Sequence, residues 1–328
     1  MRIVIRLVLV VLAAIVVVAL SGVGYLYYAF PAVPPPVDLT ITATPERVER
    51  GRYLATSVSG CLVCHSERDW SRYSGPEGPD GLGAGHERFE YGLPGVLYSK
   101  NITPAAVGNW TDGELVRAIT TGVSRDGTPL FPLMPYPRYG SMSEEDIHAI
   151  VAYLRTLRAV EKAVPPRTLT FPMNLITRTI PAPAQLTPAP DPGDKAAYGK
   201  YLVNAAVCAD CHTPIDDRGE AVAGMVFAGG MTFAHPKLGY RVNSANITPD
   251  ADSGIGSWTE QQFIDKFKAF ETAPNEPLTD AEQRQYTEMP WNDYARMTRE
   301  DLSAIYAYLR TVTPVINRVT KHPDAPGQ

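Results

Sequence analysis

The stretches CLVCH (Cys61 to His65) and CADCH (Cys208 to His212) hold all four cysteines of this 328-residue chain. Each sets two thiols one helical turn apart, with a histidine directly after the second. That layout is the attachment signal for a c-type haem. Two thiols at that spacing meet the two vinyl groups on one porphyrin edge, and the adjacent imidazole reaches under the ring to the iron. A thioredoxin-like redox pair would not need the histidine twice, and no βαβ pattern surrounds either motif. A structural zinc site needs four ligands, and the two cysteine pairs are far apart along the chain. A labile disulfide suits one isolated pair better than two copies with no cysteine left over. The reading is two covalently bound haem c groups, carried by Cys61 and Cys64 and by Cys208 and Cys211, with His65 and His212 as iron ligands.

Working outward from the motifs, the chain repeats itself. GRYLATSVSGCLVCH matches GKYLVNAAVCADCH with a one-residue gap, and SKNITPAAVGNWTDGEL matches SANITPDADSGIGSWTEQQF. The run from Met134 to Leu157 aligns without gaps to the run from Met289 to Val312, with 13 of 24 positions identical. The expected units are therefore two homologous haem domains, 45–160 and 194–318. They are joined by a proline-rich linker, 161–193, and followed by a tail, 319–328. So long a linker should drape over the domains. Helical spacing places Ile147, Ile150, Val151, Leu154 and Leu157 on one face, and Leu302, Ile305, Tyr306, Leu309 and Val312 likewise. Strand-like alternation is scarce, so the expected fold is all-α.

Two methionine pairs recur at equal spacing, Met134 with Met142 and Met289 with Met297. Met142 precedes the N-cap Ser143 and should staple to Ile147, as Met297 should to Leu302 across Thr298. Trp110 with Leu115 and Trp258 with Phe263 repeat that logic, with Glu114 and Gln262 closing the caps. Met134 and Met289 have no such structural task. Each precedes a proline, so each lies in extended chain before the last helix. A thioether is a soft sixth ligand that raises a haem's reduction potential. Met134 and Met289 are the expected axial partners of His65 and His212, against the plainer reading that they only pack on the porphyrin.

The N-terminus has no charge from Leu7 to Phe30, about 36 Å of helix, enough to cross a hydrocarbon core of ~30 Å. Arg2 and Arg6 precede it, which predicts a cytoplasmic N-terminus, and Tyr25, Tyr27, Tyr28 and Phe30 form a belt at the far interface. No Ala-x-Ala site follows, so residues 1–30 read as a retained anchor and not as a signal peptide. Residues 31–44, opening with PAVPPP, read as a stiff polyproline stalk holding the exported part off the membrane. A net charge of −5 without a basic patch argues against nucleic acid.

Each half resembles a class I cytochrome c domain: a helix before Cys-x-x-Cys-His, a Met-Pro loop, and a last helix carrying AYLR (Ala152 to Arg155, Ala307 to Arg310). The tandem arrangement behind one N-terminal transmembrane helix is similar to the cytochrome c subunits of periplasmic membrane-associated dehydrogenases. Alcohol dehydrogenase subunits of that kind commonly carry three haem domains, and this chain has two. The resemblance implies that the first and last helices of each unit cross, with Tyr153 and Tyr308 at the contacts against Gly51 to Tyr53 and Gly199 to Tyr201. It also implies a non-enzymatic carrier of single electrons in a periplasmic respiratory chain at the bacterial inner membrane. Its partners would be a donor dehydrogenase or quinol-oxidising complex and an acceptor oxidase or soluble cytochrome. The rival is a dihaem cytochrome c peroxidase, which needs one iron with an open site. Here both repeats carry the Met-Pro element and no distal histidine is shared. His86 and His235 are not at equivalent positions and are not expected to ligate; His148 should face solvent, and His322 lies in the tail. Asn101 and Asn246, within glycosylation-like Asn-x-Thr triplets, should instead fix a loop over each haem. The run GPEGPDGLGAGHE should be a surface loop near the first haem.

Overall fold

The computed structural model describes residues 1–78, 81–90, 92–272 and 276–325. Pro79 and Asp80 of the glycine-rich run, and the end of the tail, lie outside them. The chain is mostly helical. Helix α1 (Arg2–Ala29) is the uncharged N-terminal run; it is long and apolar enough to cross a membrane, and none of its residues is buried. The first half then holds α2 (Pro45–Tyr53), α3 (Cys61–Cys64), α4 (Pro104–Val107), α5 (Asp112–Thr121), α6 (Tyr136–Tyr139) and α7 (Glu144–Leu154). After α8 (Met173–Ile176) in the linker, the second half holds α9 (Lys195–Ala205), α10 (Cys208–His212), α11 (Glu260–Lys268), α12 (Asp280–Gln283), α13 (Trp291–Tyr294) and α14 (Arg299–Leu309).

Helix starts follow the capping residues. Ser143 and Thr298 accept from the amides of Asp146 and Asp301, and full capping boxes form at Thr111 with Glu114 and Thr259 with Gln262. Met142 and Met297 are fully buried beside Ile147 and Leu302, as the staples require. The one-residue gap between the repeats has a physical counterpart. Past α2 the backbone widens into a π turn over Leu54–Val58, closed by the Ser59 amide donating to the Leu54 carbonyl at 2.7 Å. The end of α9 keeps ordinary helical geometry, with the Ala206 amide on the Leu202 carbonyl at 2.7 Å. An extra residue absorbed within a helix makes such a bulge.

In each half the first helix crosses the last at a glycine. A Cβ on Gly51 would fall 1.8 Å from the Ala149 carbonyl oxygen and 2.9 Å from Tyr153 Cβ; one on Gly199 would fall 1.8 Å from the Ala304 oxygen and 3.0 Å from Tyr308 Cβ. The expected crossing is there, and only glycine permits it. One large apolar core runs through both halves, from Leu54 and Ile150 to Leu202 and Leu309, beside a smaller cluster of Trp70, Val242 and Tyr286.

The halves also clasp each other reciprocally. Tyr53 Oη donates to Asp301 Oδ2 at 2.5 Å and accepts from the Thr298 amide at 3.1 Å. Tyr201 Oη donates to Asp146 Oδ2 at 2.6 Å and accepts from the Ser143 amide at 3.2 Å. Each tyrosine thus comes from the first helix of one half and closes the N-terminus of the last helix of the other.

Strand β1 (Arg88–Phe89), β2 (Gly95–Tyr98) and β3 (Thr168–Leu169) make a small antiparallel sheet, and β4 (Thr232–Ala234) with β5 (Arg241–Asn243) make a hairpin. These qualify the all-α expectation. They run two to four residues each, too short for a period-two pattern to register. The linker drapes as expected: β3 pairs with β2, and the Gln185 and Thr187 amides reach the Gly140 and Met142 carbonyls. The stalk does not stand free. The Val37 carbonyl lies where a Cβ on Gly113 would be, 1.8 Å away, and the Ile41 amide donates to Asp112 Oδ2 at 2.8 Å. Residues 37–41 are laid along the start of α5, because glycine there leaves the backbone room.

Candidate haem-binding site

Each Cys-x-x-Cys-His motif starts from a left-handed residue, Gly60 (φ +59°) before α3 and Val207 (φ +49°) before α10. Glycine takes that conformation freely; a β-branched valine is strained in it. The four cysteines that follow are unbonded to one another. Cys64 and Cys211 keep exposed surface, yet every thiol is crowded by protein. Desolvation pushes Cys61, Cys208 and Cys211 up to about 12 and Cys64 to about 11. A redox-active pair needs a lowered thiol pKa, so the crowding speaks against thioredoxin-like chemistry. Among the described residues, no group of three or more His, Cys, Asp or Glu is placed to hold a metal ion.

The two histidines are oriented alike. His65 Nδ1 lies 2.7 Å from the Lys100 carbonyl oxygen, and His212 Nδ1 lies 2.7 Å from the Ala245 carbonyl oxygen. A carbonyl can only accept, so Nδ1 carries the hydrogen in both and Nε2 keeps its lone pair. Burial lowers both imidazole pKa values, favouring the neutral form that a metal requires. The accepting carbonyls immediately precede Asn101 and Asn246, and those side chains hold the loops. Asn101 Oδ1 accepts from the Thr103 amide and hydroxyl at 2.9 and 2.7 Å, and its Nδ2 donates to the Val160 carbonyl at 2.8 Å. Asn246 does the same with Thr248 at 2.9 and 2.8 Å and with Val315 at 2.8 Å. With both ends of a buried amide engaged, these asparagines serve the loop and offer nothing to a glycan.

The histidine carbonyls are held too. Gly85 N donates to the His65 carbonyl and Gly229 N to that of His212, both at 2.7 Å. Both glycines have φ +72°, and a Cβ would fall 2.5 Å from the Ser99 or Ala245 carbonyl oxygen. This corrects one expectation: Gly83 to Gly85 are not a surface loop but a buried brace behind His65. Matching positions add a second brace, with the Gly83 amide on Ser66 Oγ at 3.0 Å and the Phe227 amide on Thr213 Oγ1 at 3.2 Å.

Met134 and Met289 lie outside helices, half-buried against the common core. The short helix after each is tied to its own cysteine motif. Tyr139 Oη donates to the Ser59 carbonyl at 2.7 Å, and Tyr294 Oη donates to the Ala206 carbonyl at 2.8 Å. These tyrosines were not singled out from the sequence, although their recurrence five residues after each methionine was visible. The Met289 carbonyl is further held by Ser74 Oγ of the first half at 2.6 Å. The buried Ser59 and Tyr136 hydroxyls find no protein partner, one beside Gly60 and the other two residues past Met134. Paired unbonded thiols, an oriented imidazole and orphaned polar atoms together fit a haem c with polar edges.

The other histidines have different tasks. His235 is buried, accepts from the Lys237 and Leu238 amides at Nδ1 and faces the Trp70 carbonyl with Nε2 at 3.3 Å, so neither nitrogen is free. His86 Nδ1 approaches the Ala163 carbonyl at 3.3 Å. His148 is half-buried beside Glu144 instead of facing solvent.

Comparison with known proteins agrees with this geometry. Residues 196–313 match the cytochrome c family. The chain is 29% identical over 289 residues to the cytochrome c subunit of alcohol dehydrogenase (quinone) from Gluconacetobacter polyoxogenes, covering 82% of this chain and 56% of that protein. It is 30% identical over 283 residues to the fructose dehydrogenase cytochrome subunit of Gluconobacter japonicus, covering 81% and 52%. A diheme cytochrome c-type protein of Cereibacter sphaeroides is 28% identical over 276 residues, covering 79% and 83%. The chain therefore spans about half the length of the first two relatives and most of the third. It carries a cytochrome c domain at residues 196–313 and is similar to the cytochrome c subunits of dehydrogenases and to a dihaem c-type cytochrome.

Proposed function

We propose that this chain is a membrane-anchored dihaem cytochrome c that passes single electrons between a donor dehydrogenase or quinol-oxidising complex and an acceptor oxidase or soluble cytochrome. Two cytochrome c domains, 45–160 and 194–318, would each attach one haem, through Cys61 and Cys64 and through Cys208 and Cys211. His65 and Met134 would ligate one iron, His212 and Met289 the other. Haem c, once attached, supplies reversible one-electron chemistry at its iron. The chain's own residues hold each imidazole by its Nδ1 hydrogen, exclude water with the shared core and tie each Met loop to its motif. The observation that carries this reading is the identical anchoring of His65 and His212, each with Nε2 left to ligate. Helix α1 would place the body on the periplasmic face of the inner membrane, with the N-terminus in the cytoplasm.

The test is spectroscopy of the oxidised and reduced protein, with and without carbon monoxide and peroxide, beside Met134→Ala and Met289→Ala. Two low-spin haems that ignore both ligands, with one site opened by each substitution, support the carrier. A haem that binds carbon monoxide or turns over peroxide in the unaltered protein overturns it for that half and favours the peroxidase-type enzyme.

A further inference from the structure

The linker carries an apolar segment that the electron-carrier reading does not use. Phe171 is 80% exposed and Ile176 is 44% exposed, on either side of the start of α8. Isolated exposed apolar residues are ordinary; what matters is where these two sit. Two residues after the end of α8, Arg178 Nη2 donates to the Phe30 carbonyl at 2.5 Å, at the C-terminal end of α1. The same guanidinium lies 4.4 Å from the centre of the Tyr27 ring. On its other side the segment is fixed to the body. β3 pairs with β2, and Thr170 donates from both its amide and its hydroxyl to the Pro94 carbonyl, at 2.9 and 3.1 Å.

Phe171 and Ile176 therefore lie between two fixed points, the sheet of the first half and the last turn of α1. That turn also presents Tyr25, Tyr27 and Tyr28, all exposed. Tyrosines at the end of a spanning helix mark the headgroup level, where amphipathic rings settle. An exposed Phe and Ile held at that level meet lipid, as the apolar side of an interfacial segment does. The stalk does not contradict this, since residues 37–41 are folded back on α5 and do not keep the body away.

We propose that the segment 171–179 is a second membrane contact, seating Phe171 and Ile176 in the outer interface of the bilayer beside α1 and so fixing the orientation of the haem body. It rests on α1 being a membrane anchor. The occupant is lipid; a partner protein on the same patch would be a different result of the test below.

The experiment uses the full-length holoprotein in nanodiscs of phosphatidylethanolamine and phosphatidylglycerol. With the native cysteines taken up as thioethers, Phe171→Cys, Ile176→Cys, Leu12→Cys and Asp217→Cys each introduce one free thiol for a spin label. Power saturation then compares collisions with oxygen, which concentrates in lipid, and with a water-soluble nickel chelate. The expected result is a label at 171 and 176 shielded from the chelate about twofold or more relative to 217, and less deeply placed than at 12. If the labels at 171 and 176 match the one at 217 while the label at 12 is deep in lipid, the second contact is refuted and the anchor stands. If the label at 12 is also in water, the anchor itself fails and the proposal falls with it. Shielding at 171 that appears only with a copurified protein, and disappears when that protein is removed, also overturns the lipid assignment.

Discussion

Gly51→Ala and Gly199→Ala set two physical effects against each other with opposite signs. Both glycines sit inside helices, where alanine is favoured by about 1 kcal/mol on propensity alone. Packing argues the other way. The new Cβ would fall 1.8 Å from a backbone oxygen of the crossing helix in each half, whereas a carbon and an oxygen rest comfortably at roughly 3.3 Å. The first helix would have to retreat by about 1.5 Å, opening gaps along a contact that buries Leu54, Ile150, Leu202 and Ile305. Overpacking costs about 1–3 kcal/mol where side chains can yield, and here the obstacle is backbone that cannot rotate away. The upper end of that range less the propensity gain leaves about 2 kcal/mol of destabilisation, or a fall in Tm of about 4–8 °C for a body of this size. Thermal melts of the holoprotein, followed by far-UV circular dichroism and by the haem band, give the readout. A melting point at or above that of the unaltered protein, for either variant, would show that the helices do not cross where the glycines place them.

Four smaller experiments address the site and the interface. Tyr139→Phe and Tyr294→Phe strand a buried carbonyl beside each motif, so each should cost about 1–2 kcal/mol and, on the ligation proposed above, weaken the methionine–iron absorption of one haem only. Removing the Tyr53 or Tyr201 hydroxyl should cost about 1.5–3 kcal/mol, since each bond ends on a carboxylate, while the spectra of both haems stay unchanged. Asp293 is buried and desolvation raises it to about 8, far above the ~3.9 of an unfolded aspartate. Between those values the native state binds the proton that the unfolded state has lost, so stability should fall as pH rises from about 4 to about 8. Asp293→Asn should flatten that slope in denaturant titrations across the range. Chemical removal of the two haems proposed above should abolish the cooperative melt, because the surrounding core would lose the group it is proposed to enclose, and far-UV circular dichroism reads this directly.

Local chemistry was what the sequence displayed best. The caps at Ser143 and Thr298 and the staples at Met142 and Met297 are contacts within a few residues, and the structure places each as read. Contacts between distant parts of the chain leave no periodic trace. Gly85 and Gly229 were invisible because their partners, His65 and His212, lie across a loop, although an Ala-Gly pair recurs in both halves. The stalk was misread because polyproline composition speaks of local stiffness and is silent about what a chain lies against; Gly113 provided the seat. The strands were too short to show a pattern. The π turn was present as an unexplained alignment gap, and only hydrogen bonding in the folded chain gives it a meaning.

The reciprocal clasp says something about electron transfer that neither half says alone. Tyr53 and Tyr201 occupy the same place in the repeat, as do Asp146 and Asp301, yet each tyrosine reaches the aspartate of the other half. Two surfaces that could satisfy these groups separately instead depend on each other, under one continuous core. A joint of that kind resists sliding, because displacement in either direction breaks charge-assisted bonds on both sides at once. Electron transfer between two haems would depend steeply on their separation, so a fixed joint suits the carrier proposed above. The Ser74 bond to the Met289 carbonyl makes the same point from inside the site, since one half there holds the loop of the other half's candidate ligand.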